Sequence, residues 1–243
     1  MSESYKTFAQ FYDELTNDVE YKTRAEYVSG LFSAESNGGN TLLDLACGTG
    51  SMSAELSKLG YEITGIDLSE DMLAVAQGKG IPNTVFVKGD MTSFELPYRV
   101  SACLCSLDSI NHIIGYDNLV KCFKCVYKSL EENGVFIFDV NTLYKHKSVL
   151  ADNTFIYDED GYYLVWDNET ENSITRIMLD FFIYNGKSYD RYSEEFFEQC
   201  YSDEEIKEAL EISGFKLIAV YDELSKDKPK EDSQRLYYIC KRN

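Results

Sequence analysis

The chain has 243 residues, 44% of them hydrophobic and 14% aromatic, which is enough to bury the core of one α/β domain that carries a subdomain. It has no uninterrupted apolar run of about 18 residues and no signal-peptide pattern at its start, so we expect no membrane span and a cytoplasmic location. Its 42 acidic and 23 basic residues give a formal charge of -19, which would repel a phosphate backbone and disfavours a nucleic-acid partner.

Short apolar runs alternate with helical patterns over the first 141 residues. This alternation is typical of a parallel sheet that is covered by helices on both faces. Ser69 is the predicted N-cap of one helix, because its hydroxyl can accept a hydrogen bond from the first turn. The predicted strands are 41–46, 61–66, 85–87, 100–107 and 135–140, and the predicted helices include 51–59, 69–80 and 117–130.

After the fifth predicted strand the hydrophobic period changes to two. Residues 155–197 alternate apolar and polar positions, which favours β-strands. The dipeptides Asp160-Gly161 and Asn185-Gly186 stand between such runs, and both are strong hairpin signals. The segment therefore predicts an antiparallel insertion of three or four strands.

The last part of the chain returns to the α/β pattern. Residues 202–212 have helical spacing, and Ser202 with Glu205 fits a capping box at the start of that helix. Two further strands, 216–221 and 236–240, follow without a helix between them.

These elements predict a doubly wound α/β fold with a mostly parallel seven-stranded sheet and a small antiparallel β subdomain inserted after the fifth strand. We expect residues 1–141 and 202–243 to form the core. Residues 142–201 would form the insertion and cover the active-site end of the sheet.

The seven cysteines are an odd number, and without an export signal they are expected to be free thiols. Cys103 and Cys105 alternate in an apolar run, while Cys122 and Cys125 lie three apart on a predicted helix. A zinc site built from these pairs is the alternative, but the surrounding sequence lacks the turns that such sites use. We expect them to pack in the core.

The strongest motif is DLACGTG, residues 44–50, at the end of the first predicted strand. Gly48 and Gly50 permit a tight turn and let a ligand approach the backbone closely. The helix that follows presents free N–H groups at its first turn. The motif therefore indicates a ligand-binding turn.

Carboxylates stand at the ends of the first three predicted strands. Asp44 precedes the turn, Asp67 ends the second strand and can accept hydrogen bonds from ribose hydroxyls, and Asp90 ends the third. Asp90 can reach an adenine amino group, and Met91 can lie against the ring. This ordered set fits an adenosine ligand that carries a sulfonium and an α-amino group and no diphosphate.

A lone Gly-x-Gly turn also occurs in dinucleotide enzymes and in turns that bind nothing. An NAD-dependent dehydrogenase would carry a third glycine near Ser53 and an acid at the hydride site, and the sequence shows neither. The acidic set therefore favours an adenosine ligand with a sulfonium over a dinucleotide.

At these motifs the sequence resembles the class I S-adenosylmethionine-dependent methyltransferases, over residues 31–141 and from 202 to the end. Ala46 stands where a glycine is commonest in the family's first motif. Within the class the chain is most similar to small-molecule methyltransferases related to the aminosugar N-methyltransferases. That likeness includes the opening Phe8-Ala9-Gln10-Phe11-Tyr12-Asp13, the segment Asp18-Val19-Glu20-Tyr21, the segment Asp108-Ser109-Ile110-Asn111-His112 and the β insertion.

The resemblance implies a cofactor site for S-adenosylmethionine, with S-adenosylhomocysteine as product. Tyr12 or Tyr21 would lie over the methionine end, where an aromatic face attracts the sulfonium, or would simply pack a helix. Arg24 would pair with the cofactor carboxylate. The expected cofactor-binding residues are Tyr12, Tyr21, Arg24, Asp44, Ala46, Cys47, Gly48, Gly50, Asp67, Leu68, Met72, Gly89, Asp90, Met91, Ser106 and Leu107.

His112 and Tyr12 are the candidate catalytic residues. His112 could act as a general base, or it could be a structural hydrogen-bonding residue at a helix start. Tyr144 and His146, just after the fifth strand, are expected on the acceptor side. Most aromatic residues of the insertion are expected to form its own core, and some to line an acceptor pocket or a dimer surface.

The expected activity is transfer of a methyl group from S-adenosylmethionine to a nitrogen or oxygen nucleophile of a small molecule, with no metal required. The expected partners are that small molecule and, at most, a second copy of the chain, with no nucleic acid and no membrane. The alternatives are a catalytically silent cofactor-binding protein on the same core and an RNA methyltransferase.

Overall fold

A seven-stranded sheet and a separate four-stranded sheet make up the β-structure of this protein. The computed structural model describes residue 9 and residues 12–13, 16–35 and 38–243. The strands are β1 (Thr41–Leu45), β2 (Glu62–Asp67), β3 (Thr84–Lys88), β4 (Val100–Cys105), β5 (Leu130–Asn141), β6 (Thr154–Glu159), β7 (Tyr162–Glu171), β8 (Ile174–Tyr184), β9 (Tyr189–Gln199), β10 (Phe215–Asp222) and β11 (Arg235–Arg242).

Five α-helices connect or flank these strands within the described residues. They are α1 (Tyr21–Glu35), α2 (Ser51–Lys58), α3 (Glu70–Gly78), α4 (Tyr116–Ser129) and α5 (Asp203–Ile212). Short helical turns lie at Asn17–Val19, Ser109–His112 and Lys145–Leu150. Of the opening motif, Phe8, Gln10 and Phe11 lie outside the described residues.

The large sheet has the strand order β10-β11-β5-β4-β1-β2-β3. The pairs among β1 to β5 are parallel, whereas β11 runs antiparallel to both β5 and β10. The predicted fold class is therefore confirmed, including the closing pair of strands without a helix between them. Because the chain order reverses between β1 and β4, a crevice opens at the carboxyl ends of these strands.

Alternate residues of the central strands pack on opposite faces of the large sheet. Leu42 and Leu104 belong to a core with helices α1 and α2, while Leu43 belongs to a core with α4 and α5. Cys103 and Cys122 are buried in that second core and all seven cysteines are free thiols, which confirms the expectation of packed cysteines. Because β4 is buried on both faces of the sheet, its sequence is a nearly continuous apolar run.

The four-stranded sheet is an antiparallel meander in the order β6-β7-β8-β9. Two of its hairpins lie at the predicted Asp160-Gly161 and Asn185-Gly186 positions. The hairpin between β7 and β8 was not predicted: Asn172 and Ser173 both adopt left-handed backbone there, with φ of 48° and 67°, without a glycine to signal it. We keep the division of the chain at 142 and 201 as a prediction.

The capping box at the start of α5 is confirmed. The Ser202 hydroxyl accepts a hydrogen bond from the Glu205 N–H at 3.2 Å, and the Glu205 carboxylate accepts one from the Ser202 N–H at 2.8 Å. Among the described residues, no helix is long and apolar enough to cross a membrane.

Candidate active site

A cavity of about 1350 Å³ lies between the carboxyl ends of the parallel strands and the inner face of the four-stranded sheet. Residues from both sheets line it, so the insertion forms one wall of the cavity and the core the other. It brings together most of the predicted site residues. Those that line it are Tyr12, Ala46, Gly48, Asp67, Leu68, Met72, Gly89, Asp90, Met91, Leu107 and His112.

A smaller cavity of about 30 Å³ adjoins the first and shares Tyr12, Ala46, Gly48 and Leu107 with it. The predicted residues that line only this smaller cavity are Tyr21, Asp44, Cys47 and Ser106. Gly50 and Arg24 line neither cavity.

The glycine turn is held to the second strand by Asp67. One carboxylate oxygen of Asp67 accepts a hydrogen bond from the Gly48 N–H at 2.8 Å, and the other accepts one from the Ser69 N–H at 2.8 Å. Each oxygen has a second lone pair. Asp67 can therefore order the turn and still accept hydrogen bonds from a ligand in the cavity.

Asp44 lies under the turn, and its carboxylate accepts a hydrogen bond from the Ser53 hydroxyl. Burial, together with the charge of Asp67, raises the pKa of Asp44, and the hydrogen bond from Ser53 opposes this rise. The resulting pKa is about 7. Asp44 therefore supports the turn from beneath and stands next to the small cavity.

Asp13 joins the N-terminal segment to the turn and to α3. Its carboxylate accepts hydrogen bonds from Thr49 at 2.5 Å and Ser51 at 2.9 Å, and forms an ion pair with Lys79 at 2.6 Å. This network places the neighbouring Tyr12 at the wall shared by both cavities. Burial raises the pKa of Tyr12 well above its ordinary value, so its phenol stays protonated at neutral pH.

Tyr21 and Arg24 are both on α1, but only the tyrosine reaches a cavity. The Tyr21 hydroxyl donates a hydrogen bond to Thr16 at 3.0 Å. Arg24 donates to the Val19 carbonyl at 2.8 Å, to the Tyr237 hydroxyl at 3.0 Å and to Glu223 at 2.6 Å. The structure therefore does not bring Arg24 to the cavity, because the residue after β10, a residue of β11 and the chain before α1 already bind its guanidinium.

Gly50 also has a different place from the one predicted. Its backbone is left-handed, with φ of +74°, and a Cβ there would lie 2.9 Å from the Phe86 ring and 3.2 Å from Ala76. Gly50 thus allows the first turn of α2 to pack closely against β3 and α3, and it does not line the cavity.

The end of β3 forms one wall of the cavity. The Asp90 carboxylate accepts hydrogen bonds from the Thr92 N–H and hydroxyl, both at 2.7 Å, which fix its orientation. Met91 and Leu68 stand beside it on the cavity wall. This wall combines one carboxylate with apolar surface, which suits the edge and the face of a purine ring.

The opposite end of the cavity carries a polar cluster of Asp108, His112 and Glu198. One oxygen or nitrogen atom of each lies within 4.8 Å of the others. Burial lowers the pKa of His112, so its ring is neutral at neutral pH. Among the described residues none hydrogen-bonds to the His112 ring, which instead packs on Phe196 with ring centres 5.2 Å apart. Within the part of the chain that the structure describes, a ring contact is thus what holds His112, and its two roles, general base or structural residue, both stay predictions.

A buried ion-pair network behind this cluster was missed by the sequence reasoning. Arg235 pairs with Asp139 and with Asp108. Asp139 also accepts hydrogen bonds from the N–H groups of Leu107 at 2.8 Å and Asp108 at 3.0 Å. Leu107 and Asp108 both have left-handed backbone, with φ of 56° and 53°. Such backbone is unfavourable for residues with a side chain, so Asp139 and Arg235 hold this loop in place.

The polar cluster also contains the ligand types that a divalent metal accepts. The Arg235 guanidinium, however, already pairs with Asp108, and Lys145 adds a second positive charge facing it. We therefore assign no metal to the cluster.

Tyr144 and His146 do not line the cavity that they were expected to line. His146 is buried, with Nδ1 2.8 Å from the Thr175 hydroxyl and Nε2 3.7 Å from a Glu198 oxygen. Tyr144 is exposed at the surface. His146 thus lies behind the cavity wall, between the turn after β5 and the four-stranded sheet.

The methyltransferase domain family model matches residues 42–134. "Putative methyltransferase YqeM" of Bacillus subtilis is 31% identical over 98% of this chain and 97% of its own length. The crystal structure of a S-adenosylmethionine-dependent methyltransferase from Clostridium acetobutylicum is 32% identical, covers 98% of this chain and 99% of that one, and superposes with a TM-score of 0.90. An aminosugar N,N-dimethyltransferase of Streptomyces fradiae is 37% identical over 41% of this chain and 39% of its own length.

A sheet with this strand order, and carboxylates at the ends of three neighbouring strands, defines a nucleoside-binding protein of the class I methyltransferase type. The chain belongs to the S-adenosylmethionine-dependent methyltransferases, and S-adenosylmethionine is its cofactor. The cavity fits that group, because Asp67 and Asp90 offer acceptors to hydroxyl and amino groups. There is also open space beside Gly48, since a Cβ there would have none of the described atoms within 4 Å.

The two glycines of the turn are expected to respond differently to a methyl group. Gly50→Ala should lower the free energy of unfolding by about 2–4 kcal/mol, because it combines left-handed backbone with a clash against Phe86. Gly48→Ala should cost only about 1–2 kcal/mol, for its left-handed backbone alone. It should instead weaken S-adenosylhomocysteine binding, because its methyl group would stand on the cavity wall.

Urea unfolding and calorimetric titration of both variants separate these effects. Gly80→Ala is the matched control, because Gly80 has left-handed backbone with φ of +60°, a Cβ there meets no described atom within 4 Å, and Gly80 lines neither cavity. Equal losses of stability in Gly48→Ala and Gly50→Ala would contradict the assignment of separate roles.

Proposed function

We propose that the protein transfers a methyl group from S-adenosylmethionine to a nitrogen or oxygen atom of a small molecule held between its two sheets. The observation that carries this is the cavity of about 1350 Å³, which runs from the carboxyl ends of β1 to β3 to the inner face of β7 to β9. Pockets for a single small ligand are usually about 300–1000 Å³. The volume therefore has room for an acceptor beside the nucleoside.

In this proposal the core end of the cavity binds the cofactor. Asp67 accepts hydrogen bonds from the ribose, Asp90 from the adenine amino group, and Met91 lies against the ring. Tyr12 lies at the methionine end, where its ring face attracts positive charge. Bound S-adenosylmethionine supplies a methyl group that its sulfonium already activates, so alignment and exclusion of water are the tasks of the chain's own residues.

The insertion end of the cavity binds the acceptor. Leu164 and Trp166 of β7 and Phe196 of β9 give it apolar walls, while His112 and Glu198 give it polar groups that can orient a nucleophile. This mixture suits a small polar molecule with some apolar surface. The partial similarity to an aminosugar N,N-dimethyltransferase supports a nitrogen nucleophile, although it covers only 41% of this chain.

An RNA acceptor is the second candidate, and the charge of the cavity disfavours it. Asp108, Glu159 and Glu194 line the acceptor end, against Lys145 and Arg235. Arg235 is already paired with buried carboxylates, so it has no free charge to offer a phosphate. A phosphate backbone would be repelled both here and by the net charge of -19.

An acceptor panel tests the proposal. Primary and secondary alkylamines and amino sugars are each presented beside their hydroxyl and N-acetyl counterparts, together with a short RNA, and formation of S-adenosylhomocysteine is measured. We expect turnover of at least one small amine or hydroxyl compound and none of the RNA. Turnover of the RNA alone would overturn the proposal. Calorimetric binding of S-adenosylmethionine without turnover of any member would instead support the silent cofactor-binding protein.

A further inference from the structure

Glu198 stands at the meeting point of three separate elements at the acceptor end of the cavity. It is on β9, Asp108 follows β4, and His112 ends the turn after that loop. Their polar atoms lie within 4.8 Å of one another, although Glu198 is far from the other two in sequence. The Glu198 side chain is only 5% exposed, yet it lines the cavity. An acceptor in the cavity would therefore meet a carboxyl group that bulk solvent hardly reaches.

The position of the Glu198 carboxyl is fixed by the end of β5. The Asn141 side-chain N–H donates a hydrogen bond to Glu198 Oε2 at 3.1 Å, and the side-chain oxygen Oδ1 of Asn141 accepts one from Lys145 Nζ at 2.9 Å. Asn111 holds the Asn141 backbone N–H at 2.9 Å and also donates to the Gln199 carbonyl at 3.0 Å. The network joins β9 to the core, so the carboxyl keeps one place relative to the cofactor end.

The charged and titratable groups that face Glu198 come from every neighbouring element. They are Asp108, His112, Lys145, His146 and Arg235. Burial, and then the charge of Asp108, raise the pKa of Glu198; Asn141, Lys145 and Arg235 oppose the rise, and the resulting pKa is about 8. His146, whose pKa burial lowers to about 4, is neutral at neutral pH and adds no charge beside it.

We propose that Glu198 takes the proton that an ammonium acceptor must lose before its nitrogen can accept a methyl group, so that the preferred acceptors of this protein are amines. This inference rests on the proposed function. In the step an N–H bond of the ammonium breaks, its electron pair stays on nitrogen, and the proton forms an O–H bond with the Glu198 carboxylate. Glu198 then returns the proton to solvent when the product leaves.

The other members of the cluster have complementary parts in this step. Arg235 and Lys145 outweigh the burial of Asp108 and hold its pKa at about 2, so Asp108 stays a carboxylate that attracts the ammonium. The neutral His112 ring can accept a hydrogen bond from the same nitrogen. Glu198, with a pKa of about 8, is the carboxyl of the cluster whose proton affinity comes nearest to that of an alkylamine, and this pKa lies near neutral pH, where a general base works best.

The first test needs no acceptor. Infrared difference spectra between wild type and Glu198→Gln follow the carbonyl stretch of one protonated carboxyl as the pH is raised. We expect that band to disappear with a midpoint near pH 8, in line with a pKa of about 8. A Glu198 carboxyl that is already ionised at pH 6 would overturn the proposal, whatever the enzyme turns over.

The second test uses the amine of the acceptor panel that is methylated fastest by wild type. Glu198→Gln should lower kcat by about 100-fold, the usual lower bound for loss of a general base. In wild type, kcat should rise with pH through the region near 8 as one proton leaves the pair of Glu198 and ammonium, and this rise should be absent from Glu198→Gln. Glu198→Asp, which keeps the carboxyl, should restore part of the activity and the pH dependence.

Glu195→Gln is the matched control, because Glu195 is on the same strand and its side chain is 46% exposed beside Arg176. It should leave kcat and the pH profile unchanged. Calorimetric binding of S-adenosylhomocysteine to Glu198→Gln shows whether the variant is folded, since Glu198 lies away from the cofactor end. Turnover of hydroxyl compounds alone, or a Glu198→Gln enzyme with wild-type kcat, would overturn the inference. A wild type that binds no S-adenosylmethionine would instead overturn the proposed function.

Discussion

Asp67→Ala is expected to weaken the binding of S-adenosylmethionine and S-adenosylhomocysteine by at least about 100-fold, since two charge-assisted hydrogen bonds to the ribose would be lost at about 1.5–3 kcal/mol each. The variant also releases the Gly48 N–H and the Ser69 N–H, which the Asp67 carboxylate holds at 2.8 Å. The effect therefore combines loss of ligand contacts with loosening of the turn. Isothermal titration calorimetry with both sulfur nucleosides measures it.

Asp67→Asn separates these two contributions. Asparagine keeps one oxygen acceptor but replaces the other with an amide nitrogen, which cannot accept a hydrogen bond. We expect an affinity between that of wild type and Asp67→Ala. Glu62→Ala is the control, because Glu62 is exposed at the opposite end of β2. Wild-type affinity in a folded Asp67→Ala would show that the ribose is bound elsewhere, and NAD should not bind to any of these proteins.

Asp67 illustrates what the sequence could predict. The turn, the strand that follows it and the acid at the end of that strand are close in sequence and lie on neighbouring parallel strands. Parallel strands bring their carboxyl ends to one edge of the sheet, so the order of strands alone places Asp44, Asp67 and Asp90 near one another. The fold class and the core end of the cavity follow from such local patterns.

The acceptor end could not be predicted in the same way. Its polar groups come from segments whose contact depends on how the insertion folds over the core. Arg235 bonds to Asp139 and Asp108 across 96 and 127 residues, and Asn141 bonds to Glu198 across 57. The available signal was a charged residue inside an otherwise apolar strand, as at Asp139 in β5, and such a residue needs a partner when it is buried.

Arg24 is predicted to bind the cofactor carboxylate, and its partners come from a part of the chain that the sequence did not connect to it. Its guanidinium donates hydrogen bonds to Tyr237 and Glu223. Glu223 follows β10 and Tyr237 is on β11. The sequence predicted where these last strands lie in the fold but not which charged side chains they present. Glu223 could therefore not be recognised as a competing partner for Arg24.

Arg235→Met is expected to lower the free energy of unfolding by about 3–5 kcal/mol, the usual cost of removing one partner from a buried ion pair. Asp139, which is 0% exposed, would lose the guanidinium that pairs with it and would be left buried without that partner. The same substitution frees the loop of Leu107 and Asp108, whose left-handed backbone depends on this network. Urea unfolding followed by circular dichroism measures the loss.

Two variants show whether the cause is the unpaired charge. Asp139→Asn combined with Arg235→Met removes both charges and should recover part of the stability that Arg235→Met loses. Arg191→Met removes a 61% exposed arginine from its pair with Asp180 and should leave the free energy of unfolding almost unchanged, as loss of an exposed ion pair does. If Arg235→Met were no less stable than Arg191→Met, the network could not be what holds the loop after β4.

The pH dependence of stability gives an independent view of the same network. Burial favours the protonated form of Asp108, but Arg235 and then Lys145 outweigh it and hold its pKa at about 2, below the ordinary value of about 3.9 for aspartate. The unfolded chain therefore binds the proton first, so this carboxylate stabilises the fold above about pH 4 and loses that effect as the pH falls toward 2. In Arg235→Met the Asp108 carboxylate loses its main counter-charge. The loss of stability that Asp108 causes as the pH falls from about 4 to 2 should therefore shrink or change sign. An unchanged slope between about pH 4 and 2 would show that Arg235 does not control the ionisation of Asp108.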